Sequence, residues 1–203
     1  MTPIPEEIEA KVRLASPEVF RRRMGERGLA AEGPVLETNR LFDDASGRLR
    51  RAGSALRLRE ERRLGEGAVL RTLLTYKGPR EAGRFKRRPE FETTVASADA
   101  LVAILEALGL AETFRYEKRR TRWHMGGCEV SLDELPHLGW FVEVEGPAEE
   151  TILACLAALG LAGEPLVRQT YIELLAEHLA SIGRDPAKAV FGGEEGRGSR
   201  VEG

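Results

Sequence analysis

Aromatic residues make up only 6% of this 203-residue chain, and it holds just 2 cysteines, 3 methionines and 3 histidines. Cys128 and Cys155 form no metal spacing and no disulfide framework, so a reduced, cytoplasmic protein is expected. His124, His137 and His178 are scattered without mutual spacing, and read as structural or surface residues, not as zinc ligands. No apolar run approaches the ~20 residues of a membrane span. The opening MTPIPEEIEA has no basic-then-apolar leader. Net charge is lacking too. Lys and Arg number 31 against 33 Asp and Glu, leaving −2. Bulk charge therefore excludes a nucleic-acid coat or a membrane-surface binder. The arginines at 57–63 lack the interleaved aromatics of a nucleic-acid face. Gly192-Gly193 is followed by no lysine and Ser/Thr, so it is no phosphate loop.

What the chain has in abundance is charge, at 32%, above the usual quarter. It is segregated. Seven arginines against two acids fall between Arg48 and Arg63. A second basic cluster spans Arg84 to Arg88 and a third Arg115 to Arg122. From there to Arg168 no Lys or Arg occurs, while acids from Glu129 to Glu150 fill the gap. Such a chain must bring the two signs together or bind something that bridges them.

Four helices are expected. Ser16-Pro17-Glu18 opens one that Gly28 closes. Ser97 caps a second, with Leu101, Ile104, Leu105 and Leu108 at helical spacing before Gly109. A third spans about 148–160 and a fourth about 167–182. Three of them end on Gly-Leu-Ala, at 28–30, 109–111 and 160–162. That repeat suggests a reused helix-to-strand connection. The globular unit is taken as 1–183. Residues 184–203 end in GGEEGRGSRVEG and read as a polar, disordered tail.

Period-2 segments number about eight. Charged Glu7, Glu9, Lys11 and Arg13 alternate with apolar Ile8, Ala10, Val12 and Leu14. Arg57/Arg59, Arg71/Lys77, Glu90/Glu92, Lys118/Arg120/Arg122, Glu129/Ser131/Asp133 and Glu143/Glu145 each share a parity, and VLETNRLFD at 35–43 adds a further strand. Gly126-Gly127 is a hairpin turn between two of them. Each strand has one apolar and one ionic face. Side chains two apart on a strand sit about 7 Å from each other, given a rise of ~3.3 Å per residue. Like charges at that spacing repel unless opposite charge arrives from across the sheet or from a ligand. A single sheet with its ionic face in water is the plain alternative. Taken together, the paired charges favour an α+β fold. In it an eight-stranded antiparallel barrel turns its ionic faces inward, with amphipathic helices packed on the outside. Carboxylates suit Mg²⁺ or Mn²⁺, and Arg/Lys clusters suit phosphate oxygens. One bore with both suits a metal-bound polyphosphate. Trp123, Trp140, Cys128 and Cys155 fall on outward or helical positions and read as packing residues.

The order of motifs resembles a known family. Glu7-Ile8-Glu9-Ala10-Lys11 is similar to the Glu-x-Glu-x-Lys motif of the CYTH superfamily, the triphosphate tunnel metalloenzymes. Leu56-Arg57-Leu58-Arg59, Thr75-Tyr76-Lys77-Gly78-Pro79-Arg80, Glu90-Phe91-Glu92, Lys118-Arg119-Arg120, Leu132-Asp133 and Leu138-Gly139-Trp140-Phe141-Val142-Glu143-Val144-Glu145 resemble its later blocks, in order. Gln169-Thr170-Tyr171 resembles a tyrosine-containing helix near its C-terminus. The blocks look closest to the class IV adenylate cyclase branch, with Leu41-Phe42-Asp43 where an aromatic-Phe-Asp strand is expected.

The resemblance implies a tunnel that binds a triphosphate with Mg²⁺ or Mn²⁺. By motif, Glu7, Glu9, Glu143 and Glu145 would hold the metal, with Asp133 and Glu90 or Glu92 nearby. Lys11, Arg57, Arg59, Lys77, Lys118 and Arg120 would hold phosphate. Glu7, Glu9, Lys11, Lys118 and Arg120 would carry the catalysis. It implies conversion of ATP to cyclic AMP and pyrophosphate. Hydrolysis of tripolyphosphate, thiamine triphosphate or a nucleotide is the alternative, and a non-catalytic polyphosphate-binding module is the third reading. No nucleic-acid or membrane partner is expected, and a homodimer is left open.

Overall fold

The computed structural model describes residues 6–65, 67–79 and 85–192, and not the side chains of Glu6, Glu7 and Lys86. In chain order the elements are β1 (Glu6–Leu14), α1 (Glu18–Glu26), β2 (Glu32–Asp44), α2 (Arg48–Arg51), β3 (Ala55–Arg63), β4 (Val69–Lys77), β5 (Lys86–Thr94), α3 (Ala98–Ala107), β6 (Leu110–Met125), β7 (Cys128–Leu135), β8 (Gly139–Glu145), α4 (Glu149–Ala158), α5 (Tyr171–Ser181) and β9 (Lys188–Ala189). Strands β1 to β8 pair antiparallel in the order β2-β3-β4-β5-β1-β8-β7-β6, and a β2–β6 pairing closes the ring. The expected eight-stranded antiparallel barrel with outer helices is therefore the fold. The Gly126-Gly127 turn joins β6 to β7 with both residues at positive φ, 60° and 79°, the conformation that a tight two-residue hairpin demands.

The apolar parity of the strands faces outward. Ile8, Ala10 and Val12 of β1, Val130 and Leu132 of β7, and Val142 and Val144 of β8 are buried against Phe20 and Met24 of α1 and Ile152, Cys155 and Leu156 of α4. Trp123 lies in this layer, edge-on to Phe20 at 5.8 Å between ring centroids. A second layer sets Leu105 of α3 on Phe42 and Leu58. The hydrophobic core thus surrounds most of the barrel and the ionic parity is left for the bore, except where α5 docks on the inward-parity residues Leu41, Phe114, Tyr116 and Phe141. The ordering is the reverse of a side-chain-filled small barrel.

Helix α5 differs from the expected span. It begins at Tyr171, not near Val167, because the chain before it is held extended against β1. Val12 bridges Leu166, and the Val167 N–H donates to the Lys11 carbonyl at 2.8 Å. Thr170 then caps the helix: its hydroxyl accepts from the Glu173 N–H at 3.2 Å while the Glu173 carboxylate accepts from the Thr170 N–H at 2.6 Å. This reciprocal cap fixes the first turn. Thr170→Ala is expected to cost about 1 kcal/mol, readable as a lower midpoint in urea unfolding with an unchanged slope.

The segment beyond 183 also departs in part from a free tail. Lys188–Ala189 form β9, parallel to β6 at Arg115 and Tyr116, and Ala189 is buried. The 16-residue β6 makes this possible. Its second half pairs with β7, so the same edge of its first half is open to β9. Residues 193–203 lie outside the described residues. His137 and His178, which carry no mutual spacing in the sequence, stack at 6.0 Å on the surface. No described helix is long and apolar enough to cross a membrane.

Candidate active site

Every strand of the barrel contributes charged or polar side chains to one cavity of about 1740 Å³, whose lining includes Glu9, Lys11, Arg57, Arg59, Lys77, Arg120 and Glu143. Period-2 geometry puts them there. Once the apolar set faces the helices, its alternates have nowhere else to point.

At the heart of the bore two carboxylates are fully buried, Glu37 and Asp133, each 0% exposed. Asp133 on β7 accepts from Arg120 through both oxygens, at 2.6 and 2.6 Å. It also accepts from Lys118 at 3.3 Å and from the Tyr171 hydroxyl at 2.9 Å. Glu37 on β2 lies 2.6 Å from Arg122, 3.3 Å from Lys118, 3.4 Å from Arg59 and 3.7 Å from Arg120. Burial alone would raise the Glu37 carboxyl, but Arg59, Lys118, Arg120 and Arg122 outweigh it and hold it well below the usual carboxylate range. Arg120, disfavoured as a cation by burial, is nevertheless held well above its ordinary value by Asp133, Glu37 and Glu143. Glu61 extends the network, accepting from Arg71 at 2.8 and 3.0 Å and from Arg122 at 2.8 Å.

Around this network sit the lysines. Lys11 is 3.1 Å from Glu143 and 3.8 Å above the Tyr171 ring. Tyr171 is kept a neutral phenol, its pKa pushed well up by burial first and then by Asp133 and Glu143. It ties α5 to the bore through its hydroxyl on Asp133 and its ring under the Lys11 ammonium. Farther along, Lys77 pairs with Glu90 at 2.6 Å. Thr75 donates to Glu92 at 2.7 Å, and Arg57 donates to Thr75 at 3.3 Å. Among the described residues, Arg57 Nε and Asn39 Nδ2 are buried donors with no hydrogen-bond partner.

The bases expected for phosphate, Lys11, Arg57, Arg59, Lys77, Lys118 and Arg120, thus line one bore. The expected metal carboxylates divide. Glu9 and Glu145 are cross-strand neighbours on β1 and β8, Glu129 of β7 extends the row beyond Glu145, and Glu143 sits one inward position along β8. Glu90 and Glu92 are taken up by Lys77 and Thr75 on another sector of the wall. Asp133 is encased by Arg120, Lys118 and Tyr171 and fits an anchor for bases better than a ligand. The Glu7 side chain lies outside the described residues; its backbone pairs with Arg88 of β5. Among the described residues no three His, Cys, Asp or Glu converge on one ion-sized point. By type the row of Glu9, Glu145 and Glu129 still fits a hard divalent cation, since it offers only oxygen donors from adjacent strands.

Comparison with known proteins follows the same lines. The CYTH domain profile matches residues 5–154. The chain belongs to the CYTH family. A relative from Methanocaldococcus jannaschii, described as a "putative adenylate cyclase", is 25% identical over 177 residues, covering 83% of this chain and 97% of its own. The PH1819 protein of Pyrococcus horikoshii superposes with a TM-score of 0.72 at 26% identity, over 85% of this chain and 99% of its own. A Hippeastrum protein, reported as a "putative adenylyl cyclase" with dominant triphosphatase activity, shares the fold with a TM-score of 0.62 at 19% identity, over 88% and 97% of the two chains. The CYTH match stops inside α4. The Tyr171 helix that completes the bore thus lies beyond it.

Proposed function

We propose that this CYTH protein is a divalent-metal-dependent enzyme acting on a triphosphate laid along the bore, in the manner of a class IV adenylate cyclase. The observation that carries the reading is the joint presence, in one bore, of a carboxylate row and a basic wall that includes the partnerless Arg57 Nε. An anionic phosphate chain satisfies the bases. Glu9 and Glu145, with Glu129 and Glu143 beside them, would hold Mg²⁺ or Mn²⁺, which supplies charge neutralisation and polarisation of phosphate oxygens.

The chain's own groups then do three things. Lys11, Lys118 and Arg120 are fixed by Glu143, Glu37 and Asp133 before substrate arrives, so little reorganisation remains for the reaction step. Arg57, Arg59 and Lys77 clamp the far part of the phosphate chain. The closed wall limits water around the reacting phosphorus. Attack by the ribose 3′-hydroxyl on the α-phosphorus gives cyclic AMP and pyrophosphate. The archaeal relative's description supports this reading. Attack by water on the terminal phosphorus gives hydrolysis instead, the activity reported for the Hippeastrum protein.

The products decide. With ATP and Mn²⁺ or Mg²⁺, cyclic AMP and pyrophosphate are expected by chromatography, and ADP or AMP with phosphate would establish the hydrolase instead. Glu9→Gln is expected to lower the rate by about 10²-fold or more. Undiminished turnover in that variant would overturn the metal role of Glu9, and triphosphate binding without turnover under either metal would overturn the enzyme assignment.

A further inference from the structure

Lys11 and Lys118 reach the bore from β1 and β6, two strands that do not pair; β8 and β7 stand between them. No ladder register therefore relates the two ammonium groups. What they share is a neighbour delivered by a helix. The centroid of the Tyr171 ring lies 3.8 Å from Lys11 Nζ and 5.4 Å from Lys118 Nζ. Both distances fall inside the ~6 Å over which an aromatic face attracts a cation.

The ring itself is held from two sides. Asp133 and Phe141 are register partners on β7 and β8, the intervening strands. The Tyr171 hydroxyl donates to Asp133 at 2.9 Å, and the ring meets Phe141 edge-on, with centroids 5.4 Å apart and planes at 71°. The chain leading into α5 adds a second hold on Lys11, whose Nζ donates to the Gln169 carbonyl at 3.3 Å. Burial, Asp133 and Glu143 push the phenol's pKa well up, so near neutral pH it presents an uncharged ring. The hydroxyl is the more dispensable part. Asp133 also accepts twice from Arg120, at 2.6 and 2.6 Å, and once from Lys118 at 3.3 Å. Loss of the hydroxyl leaves those bonds in place, whereas loss of the ring takes a partner from both lysines at once.

We propose that Tyr171 is a positioning residue, and that the face of its ring sets where the Lys11 and Lys118 ammonium groups stand to receive the phosphate chain. The inference rests on the triphosphate reading of the bore and deepens it by assigning the placement of two of its bases to one residue of α5. The residue acts through the lysines and takes no proton in the reaction.

The test is calorimetric titration of the full chain with tripolyphosphate in the presence of Mn²⁺. Tyr171→Phe is expected to bind within threefold of wild type, and Tyr171→Leu about tenfold more weakly. A second series places phenylalanine bearing one, two or three ring fluorines at position 171. Each fluorine draws negative charge off the ring face with little change of shape, so affinity should fall stepwise and reach the Tyr171→Leu level at three. The unliganded melt of each variant reports folding, and the fluorinated series stays near the native shape should Tyr171→Leu fail to fold. Wild-type affinity in a folded Tyr171→Leu, or the same affinity throughout the fluorinated series, would overturn the proposal. A Tyr171→Phe as weak as Tyr171→Leu would overturn it too, by assigning the effect to the hydroxyl. No tripolyphosphate binding by wild type would instead overturn the bore reading beneath it.

Discussion

Glu37→Gln is expected to cost about 3–5 kcal/mol of folding stability at neutral pH, the usual consequence of removing one side of a buried ion network. The reason is numerical. Glu37 is fully buried, and four basic groups lie within 3.7 Å of its carboxylate. The amide would keep the shape and abandon the charge, leaving Arg59, Lys118, Arg120 and Arg122 to repel one another at close range. The pH dependence follows from the direction of the shift. A carboxyl depressed in the folded state adds stability above its unfolded value of about 4.3 and loses it as pH falls through the folded value. Glu61 acts in the same sense: burial raises it, and Arg71 and Arg122 lower it by more. Wild-type stability should therefore fall steeply below about pH 4, and the variant's curve should be flatter there. Urea unfolding at pH 7 and through the acid range measures both. A variant as stable as wild type at pH 7 would contradict the network's role.

Arg120→Lys should leave the fold largely intact and lower kcat/KM by about 10²-fold. The charge survives, so the buried carboxylates keep a counterion. The planar fork does not survive, and with it goes the two-point grip on Asp133 that sets where the remaining donor points. Arg120 also touches Glu143, so its loss loosens the link between the basic wall and the acidic row. Steady-state kinetics on ATP and a thermal melt of the same preparation separate the two effects. A rate within threefold of wild type would show that the fork has no part in orienting the substrate.

The barrel was legible in the sequence because period 2 is a local signal. Glu9 and Lys11, Arg57 and Arg59, or Lys118 and Arg120 declare a shared face without any knowledge of their neighbours. The division of labour inside the bore was not legible, because it depends on cross-strand register. Nothing in the order of residues says that Asp133 meets Arg120 and Glu143 meets Lys11; the strand order and the lengths of the connections set those rows. Glu37 was missed for a related reason. In VLETNRLFD it has no like-charged neighbour two residues away, only Asn39, so its strand shows no paired ionic face. The available clue was an acid on the inward parity of the strand, separated by Asn39 and Leu41 from the next inward carboxylate, Asp43. Glu90 and Glu92 mislead in the opposite way, since a Glu-x-Glu pair looks the same whether its partner is a metal or Lys77. Tyr171 sits in a helix, where strand parity says nothing, and only the docking of α5 against the barrel brings it to Asp133.

The β2–β6 seam joins residues as far apart as Glu32 and Arg122, and contacts of such sequence separation are costly to form during folding. Glu37 lies on one side of that seam and Lys118, Arg120 and Arg122 on the other. On the proposed function, the residues that zip the cylinder shut would also cradle the anion. Neither half of the chain would then hold a polyanion by itself, and a polyanion seated across the seam would act as a clasp on these two strands.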